Sequence, residues 1–335
     1  MHQSNPTMSG GDGTAPPPHV VEDLLGVVQL LSDGSVIRGD ESVLSPPEQQ
    51  FPDVPGVEWK DVAYHAAHGL KARVYRPSEK KTKLPVLVYF HGGGYCIGSY
   101  AQPPFHAFCL RAAAELPALV LSVQYRLAPE HRLPAAVHDG ADFLSWLRAQ
   151  AETGGAAEDT WLAESADFAR TFVSGVSAGA NLAHHVTVQN AATSASPARL
   201  RIAGLVLLSA FFGGVRRTPA ETALSPADVS LTVDVADQLW RLALPAGATR
   251  DHPLASPEIP EAVELPPVLV VAPGRDVLRD RVLGYAARLG EMGKAVEVVR
   301  FDDEQHGFSV LRPFGVAADE LMRVLRRFLY YRPTD

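Results

Sequence analysis

A largely parallel β-sheet covered by helices on both faces is the fold class that this sequence predicts. Three observations carry it. From Leu84 onward, short runs of Val, Leu and Ile alternate with helix-length stretches, the rhythm of successive βαβ units. Apolar residues make up 46% of the 335 residues and charged residues 20%, enough to build a full core. Finally, the residues best suited to chemistry stand just past the carboxyl ends of predicted strands, the edge on which open α/β sheets place their sites.

Taken in order, residues 1–18 are rich in Pro, Gly and Ser and read as a disordered tail. Residues 19–56 form an N-terminal segment. Within it the apolar clusters of Val20 to Leu31 predict a helix with one apolar face, stopped by a turn at Asp33-Gly34. Val57 to Tyr64 and Leu70 to Tyr75 alternate as the two strands of an antiparallel hairpin, turning at His65 to Gly69. Six further strands are expected at Val86 to Phe90, Leu119 to Val123, Thr171 to Ser174, Gly204 to Leu208, Val268 to Val271 and Val296 to Phe301. Helices are expected at Phe105 to Ala114, Ala135 to Ala149, Ala178 to Gln189, Arg281 to Met292 and Val316 to Tyr330. Between Phe211 and Pro267 the rhythm breaks into a Pro-rich stretch with one helix-like piece, Val233 to Leu242. A connection of that length usually has a job, such as a lid over a site. Residues 57–335 therefore read as one domain carrying an insertion at about 212–266.

Charge and composition exclude several function classes. The formal net charge is −8 and there is no Lys/Arg-rich run, so neither a nucleic acid nor an anionic membrane is expected as partner. The longest mainly apolar run, Ile202 to Val215, falls short of the roughly 20 residues needed to span a bilayer. The first residues lack a basic start and an apolar stretch, which leads to the expectation of a cytoplasmic protein, with the nucleus as a second location. Cys96 and Cys109 make no disulfide framework and no zinc spacing, and read as small buried hydrophobes. The sequence contains no His-Glu-x-x-His pair and no phosphate loop, so neither metal nor cofactor is expected.

Four motifs carry chemistry. Gly175-Val176-Ser177-Ala178-Gly179 has the G-x-S-x-G form of a nucleophile elbow. A Gly-rich turn with a bystander serine has the same letters, so context must decide. Here the motif follows an apolar strand and opens a helix, the setting in which flanking small residues let strand and helix pack close while the hydroxyl stays exposed. His91-Gly92-Gly93-Gly94, just after the strand ending at Phe90, can aim unshielded backbone N–H groups at one oxygen. A dinucleotide fingerprint is the rival reading, and it fails because Gly98 rather than residue 97 follows Gly92-x-Gly94. A triad also needs an acid and a base, in the chain order Ser, acid, His. Asp276 and His306 stand in that order, each after a strand. Asp280 is the competing acid, read as an N-cap or ion-pair residue of the following helix. His184, His185, His65 and His68 read as surface or packing residues.

With these residues assembled, the chain resembles the plant carboxylesterases, in the hormone-sensitive-lipase-like group of α/β-hydrolases. The resemblance runs from about Val20 to Phe328. It rests on Glu22-Asp23-Leu24-Leu25-Gly26, His91-Gly92-Gly93-Gly94, Tyr125 to His131, Gly175 to Asn181, Asp276-x-Leu278-x-Asp280 and His306-Gly307-Phe308. It implies an α/β-hydrolase fold with a cap built from the N-terminal segment and the insertion. It also implies Ser177 as nucleophile, His306 as base, Asp276 as orienting acid, and an oxyanion hole from the amides of Gly92, Gly93, Gly94 and Ala178. Arg126 and Glu130 would hold the loop beneath the site. Within the family, Gly26 to Leu31 and Leu244 to Asp251 look most like the carboxylesterases that hydrolyse strigolactones. One departure is Val176, where the family usually has Asp. Two alternatives share the scaffold: a gibberellin-receptor type of hormone-binding protein, in which an aliphatic residue typically replaces the histidine kept here as His306, and a dehydratase. The expected partner is a small-molecule ester.

Overall fold

The structure, a computed structural model, describes residues 17–44, 51–79, 82–152, 159–193 and 199–330. The tail expected over 1–18 lies outside these residues except for Pro17 and Pro18. The chain opens with β1 (Val20–Leu24), β2 (Val28–Leu31) and β3 (Val36–Arg38), a small antiparallel sheet of its own. This corrects the helix expected over Val20 to Leu31. Leu25 and Gly26 take left-handed backbone angles, and Asp23 Oδ1 accepts the Gly26 N–H at 2.8 Å, so the chain turns back where a helix would have continued. Apolar clusters two or three residues long fit one helix face or two short strands equally well; Gly26 between them is the signal for the turn.

The main sheet follows. β4 (Val57–His65) and β5 (Leu70–Pro77) form the expected hairpin, and β6 (Leu84–Phe90) leads into α1 (Pro103–Glu115) and β7 (Leu119–Val123). Then come α2 (Ala135–Glu152), α3 (Thr160–Ser165), β8 (Ala166–Val176), α4 (Ala178–Thr193) and β9 (Ile202–Leu208). The insertion holds α5 (Pro219–Ala223) and α6 (Val233–Ala243). The chain closes with β10 (Val268–Arg275), α7 (Arg279–Glu291), β11 (Val296–Gln305), α8 (Phe308–Leu311) and α9 (Val316–Tyr330). The strand order is β11-β10-β9-β8-β6-β7-β5-β4. All neighbours are parallel except β4 with β5 and β5 with β7.

Successive residues of β6 face opposite sides, and each side has its own core. Val86, Val88 and Phe90 pack in the layer of Phe143 and Leu147 from α2, Leu182 and Val186 from α4, and Leu289 from α7. Leu87 and Tyr89 pack in the layer of Phe108 from α1 and Leu325 and Phe328 from α9. A strand covered on both faces has no polar side, which is why β6 reads as a continuous apolar run.

The N-terminal sheet and the insertion meet each other. Arg241 and Gln238 on α6 donate to the Glu22 carboxylate at 2.6 and 3.0 Å, and Gln238 also donates to the Asp23 carbonyl at 2.9 Å. Arg38 on β3 reaches down to the main domain, donating to both oxygens of Glu130 and to the carbonyls of Ala128 and Cys96.

Candidate active site

Ser177 occupies the single residue between β8 and α4, with φ of +55°. That strained angle is sustained by what surrounds it. Ser177 N–H donates to the Leu208 carbonyl, and its own carbonyl accepts from Ala180, Asn181 and Phe211. The two motif glycines are required by contact. A Cβ on Gly175 would lie 2.2 Å from the Gly179 carbonyl oxygen, and one on Gly179 would lie 2.0 Å from that of Phe90. The turn is therefore as sharp as the packing of α4 onto β6 and β8 allows, and it lifts the serine hydroxyl clear of the sheet.

The two other predicted residues come to the same edge. Ser177 Oγ lies 2.8 Å from His306 Nε2, and His306 Nδ1 lies 2.8 Å from Asp276 Oδ2. Asp276 has no exposed surface, and its second oxygen accepts the Leu278 N–H at 2.9 Å. A carboxylate that accepts from Nδ1–H selects the tautomer in which Nε2 is bare, so Nε2 can accept the Ser177 proton. Asp280 does not join this chain. It sits in the first turn of α7 rather than at its cap, pairs with Arg279 at 3.1 Å and accepts the Ala220 N–H of α5 at 2.7 Å.

The glycine loop leaves β6 beside the elbow. A Cβ on Gly92 would stand 3.2 Å from Ser177 Cβ, which places this backbone directly against the serine. Gly93 and Gly94 have φ of +113° and +59°, and a Cβ at Gly94 would run into Leu239 of α6 at 2.5 Å. Among the described residues, the N–H groups of Gly93, Gly94 and Ala178 donate to no protein oxygen, so they are free to serve an oxygen of a bound molecule.

Buried polar contacts hold the loop in place. His91 stacks on Tyr125, with centroids 4.2 Å apart, and Tyr125 Oη donates to the His91 carbonyl at 2.7 Å. Burial pushes His91 down to about 4, so its ring stays neutral. Tyr95 Oη donates to Asn181 Oδ1 at 2.6 Å, and Asn181 Nδ2 in turn donates to the Phe211 and Leu254 carbonyls. Arg126 forms a bidentate pair with buried Asp139, at 2.9 and 2.7 Å to Oδ1. Val176, buried beneath Gly92, fills its position with apolar volume.

His184, His185, His65 and His68 have partners elsewhere, His185 Nε2 lying 3.2 Å from the Leu254 carbonyl. His184 is buried against the Tyr285 hydroxyl at 2.8 Å and held well below its ordinary range by desolvation, while His65 stacks on His68. Burial pushes the Cys96 thiol up to about 12, which makes it a poor nucleophile.

Several contacts at the site have no motif to announce them. Ser209 follows β9 with φ of +47°, is fully buried, and accepts the Gly307 N–H at 3.4 Å. Ser230 of the insertion donates to the His306 carbonyl at 2.8 Å. Only their backbone partners mark these serines as part of the site.

Among the described residues no group of His, Cys, Asp or Glu has the arrangement of a metal site, and no helix is long and apolar enough to cross a membrane.

Comparison with known proteins agrees with this fold. Residues 87–310 match a protein family described by its alpha/beta hydrolase fold. A probable carboxylesterase of Arabidopsis thaliana, carboxylesterase 8, is 36% identical over 327 residues, covering 94% of this chain and 95% of that protein. A 2-hydroxyisoflavanone dehydratase of Glycyrrhiza echinata is 32% identical over 334 residues, covering 96% of this chain and all of the dehydratase. Among solved structures, the thermophilic carboxylesterase EstE1, cloned from a metagenomic library, superposes with a TM-score of 0.72 at 30% identity, over 83% of this chain and 90% of its own.

Proposed function

The chain belongs to the α/β-hydrolase fold family, and from that premise we propose that it is a serine carboxylesterase acting on small carboxylic esters through an acyl-enzyme on Ser177. The observation that carries the reading is the unbroken hydrogen-bond chain Ser177 Oγ to His306 Nε2 and His306 Nδ1 to Asp276 Oδ2. His306 takes the serine proton as Oγ attacks the ester carbonyl. The carbonyl oxygen becomes an oxyanion and is held by the amides of the Gly92 to Gly94 loop and of Ala178. Each such donor contributes about 2.7–4 kcal/mol of transition-state stabilisation. The imidazolium returns its proton to the leaving alcohol, and Asp276 holds the ring in place throughout. Water then attacks the acyl carbonyl as His306 takes its proton, the bond from the acyl carbon to Ser177 Oγ breaks, the imidazolium returns the proton to Oγ, and the acyl group leaves as the acid.

The N-terminal sheet and the insertion are read as one cap over this site, supported by the Glu22 contacts of α6 and by Leu239 resting on Gly94. The finer substrate reading is a plant hormone ester such as strigolactone, supported by the likeness of Gly26 to Leu31 and Leu244 to Asp251 to carboxylesterases that hydrolyse it. Turnover of p-nitrophenyl acetate and of a strigolactone is measured with wild type and Ser177→Ala. The expected result is turnover of both by wild type alone; a Ser177→Ala variant as active as wild type would falsify the assignment.

The likeness to a 2-hydroxyisoflavanone dehydratase along its whole length favours a second reading, elimination of water by the same base and oxyanion site. Product analysis separates the two. Hydrolysis yields an acid and an alcohol, whereas elimination yields an alkene and water.

A further inference from the structure

We propose that Ser230 is a positioning residue for His306, and that the stretch Asp228–Ser230 of the insertion is a latch on the two loops carrying the acid and the base. The proposal rests on the reading of Ser177, His306 and Asp276 as the catalytic chain. The peptide unit joining His306 to Gly307 is held at both of its polar ends. Its C=O accepts from Ser230 Oγ at 2.8 Å, and its N–H donates to Ser209 Oγ at 3.4 Å. Ser209 belongs to the sheet edge and Ser230 to the insertion, so each half of the molecule holds one side of the same peptide. Two residues upstream of Ser230, the Asp228 carbonyl accepts from Gln305 Nε2 at 3.1 Å and from Arg275 Nη2 at 3.3 Å. Gln305 immediately precedes His306 and Arg275 immediately precedes Asp276. The Asp228 carboxylate adds an ion pair to Arg275 at 3.9 Å.

The consequence is a coupling between the insertion and the base. An imidazole must point its Nε2 at the serine hydroxyl within a few tenths of an ångström, and its direction follows from the peptide that carries it. When Asp228–Ser230 is seated, that peptide has partners on both sides; when it lifts, the His306 carbonyl loses the hydroxyl from the insertion and Gln305 loses its acceptor. Seating the insertion over a bound substrate thus also completes the orientation of the base. Ser230 and Asp228 are exposed, so changing them leaves the core intact.

The test compares wild type, Ser177→Ala, Ser230→Ala, Ser230→Thr, Gln305→Met and the Ser230→Ala/Gln305→Met pair in p-nitrophenyl acetate hydrolysis, with thermal melting of each. Loss of one orienting hydrogen bond is expected to lower kcat of Ser230→Ala about threefold to tenfold, with KM within about twofold. The melting temperature is expected to stay at the wild-type value. Ser230→Thr keeps a hydroxyl and should recover most of the rate. The pair should lose less than the product of the two single losses, because both changes release the same segment. A wild-type kcat in Ser230→Ala, an equal loss in Ser230→Thr, or a loss that simply tracks melting overturns the latch. Failure of the esterase reading looks different: wild type is then no faster than Ser177→Ala, and the latch falls with it.

Discussion

Replacing Asp276 by Asn changes few atoms and should remove most of the activity. The side chain is fully buried, and its two oxygens have separate duties, Oδ2 toward His306 Nδ1 at 2.8 Å and Oδ1 toward the Leu278 N–H at 2.9 Å. Asn can still accept from Leu278 through its carbonyl, so the backbone turn survives. Its NH₂ then faces His306 Nδ1, which must become the acceptor, and the ring proton moves to Nε2. In that tautomer Nε2 cannot take the serine proton. A tautomer inversion of this kind costs about 10⁴ in kcat, or about 5.5 kcal/mol of transition-state stabilisation. Asp280→Asn is the control four residues away. It weakens the contact to the Ala220 N–H at 2.7 Å and the pair with Arg279, which should lower melting by about 2 °C and leave kcat within about twofold. Initial rates on p-nitrophenyl acetate and a melting scan decide the matter. An Asp276→Asn enzyme retaining a tenth or more of the wild-type rate, or an Asp280→Asn enzyme that loses its rate while melting normally, refutes the assignment of the acid.

Other perturbations test the scaffold. Gly179→Ala puts a Cβ 2.0 Å from the Phe90 carbonyl oxygen, with backbone on both sides, and should destabilise the fold by about 3 kcal/mol or more, read as a lower urea midpoint. Tyr95→Phe strands the buried Asn181 Oδ1 and should cost about 1–3 kcal/mol in the same assay; an unchanged midpoint contradicts the network described. His91 titrates at about 4 in the fold against an ordinary value of 6.5 in the unfolded chain, so below pH 6.5 the unfolded chain binds the proton first. Stability should therefore be intact above pH 6.5 and fall as the pH drops toward 4, by on the order of 3 kcal/mol from this residue. His91→Asn should flatten that dependence, and an equally steep fall in the variant assigns it elsewhere.

The strands of the main sheet are legible because a parallel strand buried on both faces has no polar side, and β6 through β10 therefore appear as short Val- and Leu-rich runs separated by helices. The short helices α3, α5 and α8, of four to six residues, carry too few turns for any periodicity to show. The N-terminal sheet is illegible for the same reason: over a dozen residues, apolar clusters fit either period, and only the left-handed turn at Leu25-Gly26 separates them.

What the sequence by itself determined is the succession of strands in the main sheet and the residues at their carboxyl ends: Ser177 between two glycines, Asp276 and His306 after β10 and β11, and the glycine loop after β6. Those positions are legible because a sharp turn needs glycine and an open parallel sheet offers one edge for chemistry. What only the tertiary structure decided is how the insertion meets that edge. Ser230 lies 76 residues from the peptide it holds, and Ser209 lies 98 residues from the amide it accepts. Both act on backbone groups, which every residue possesses, so no pattern of side chains could announce them. Their partners exist only once the sheet has brought β9, β11 and the insertion to the same place.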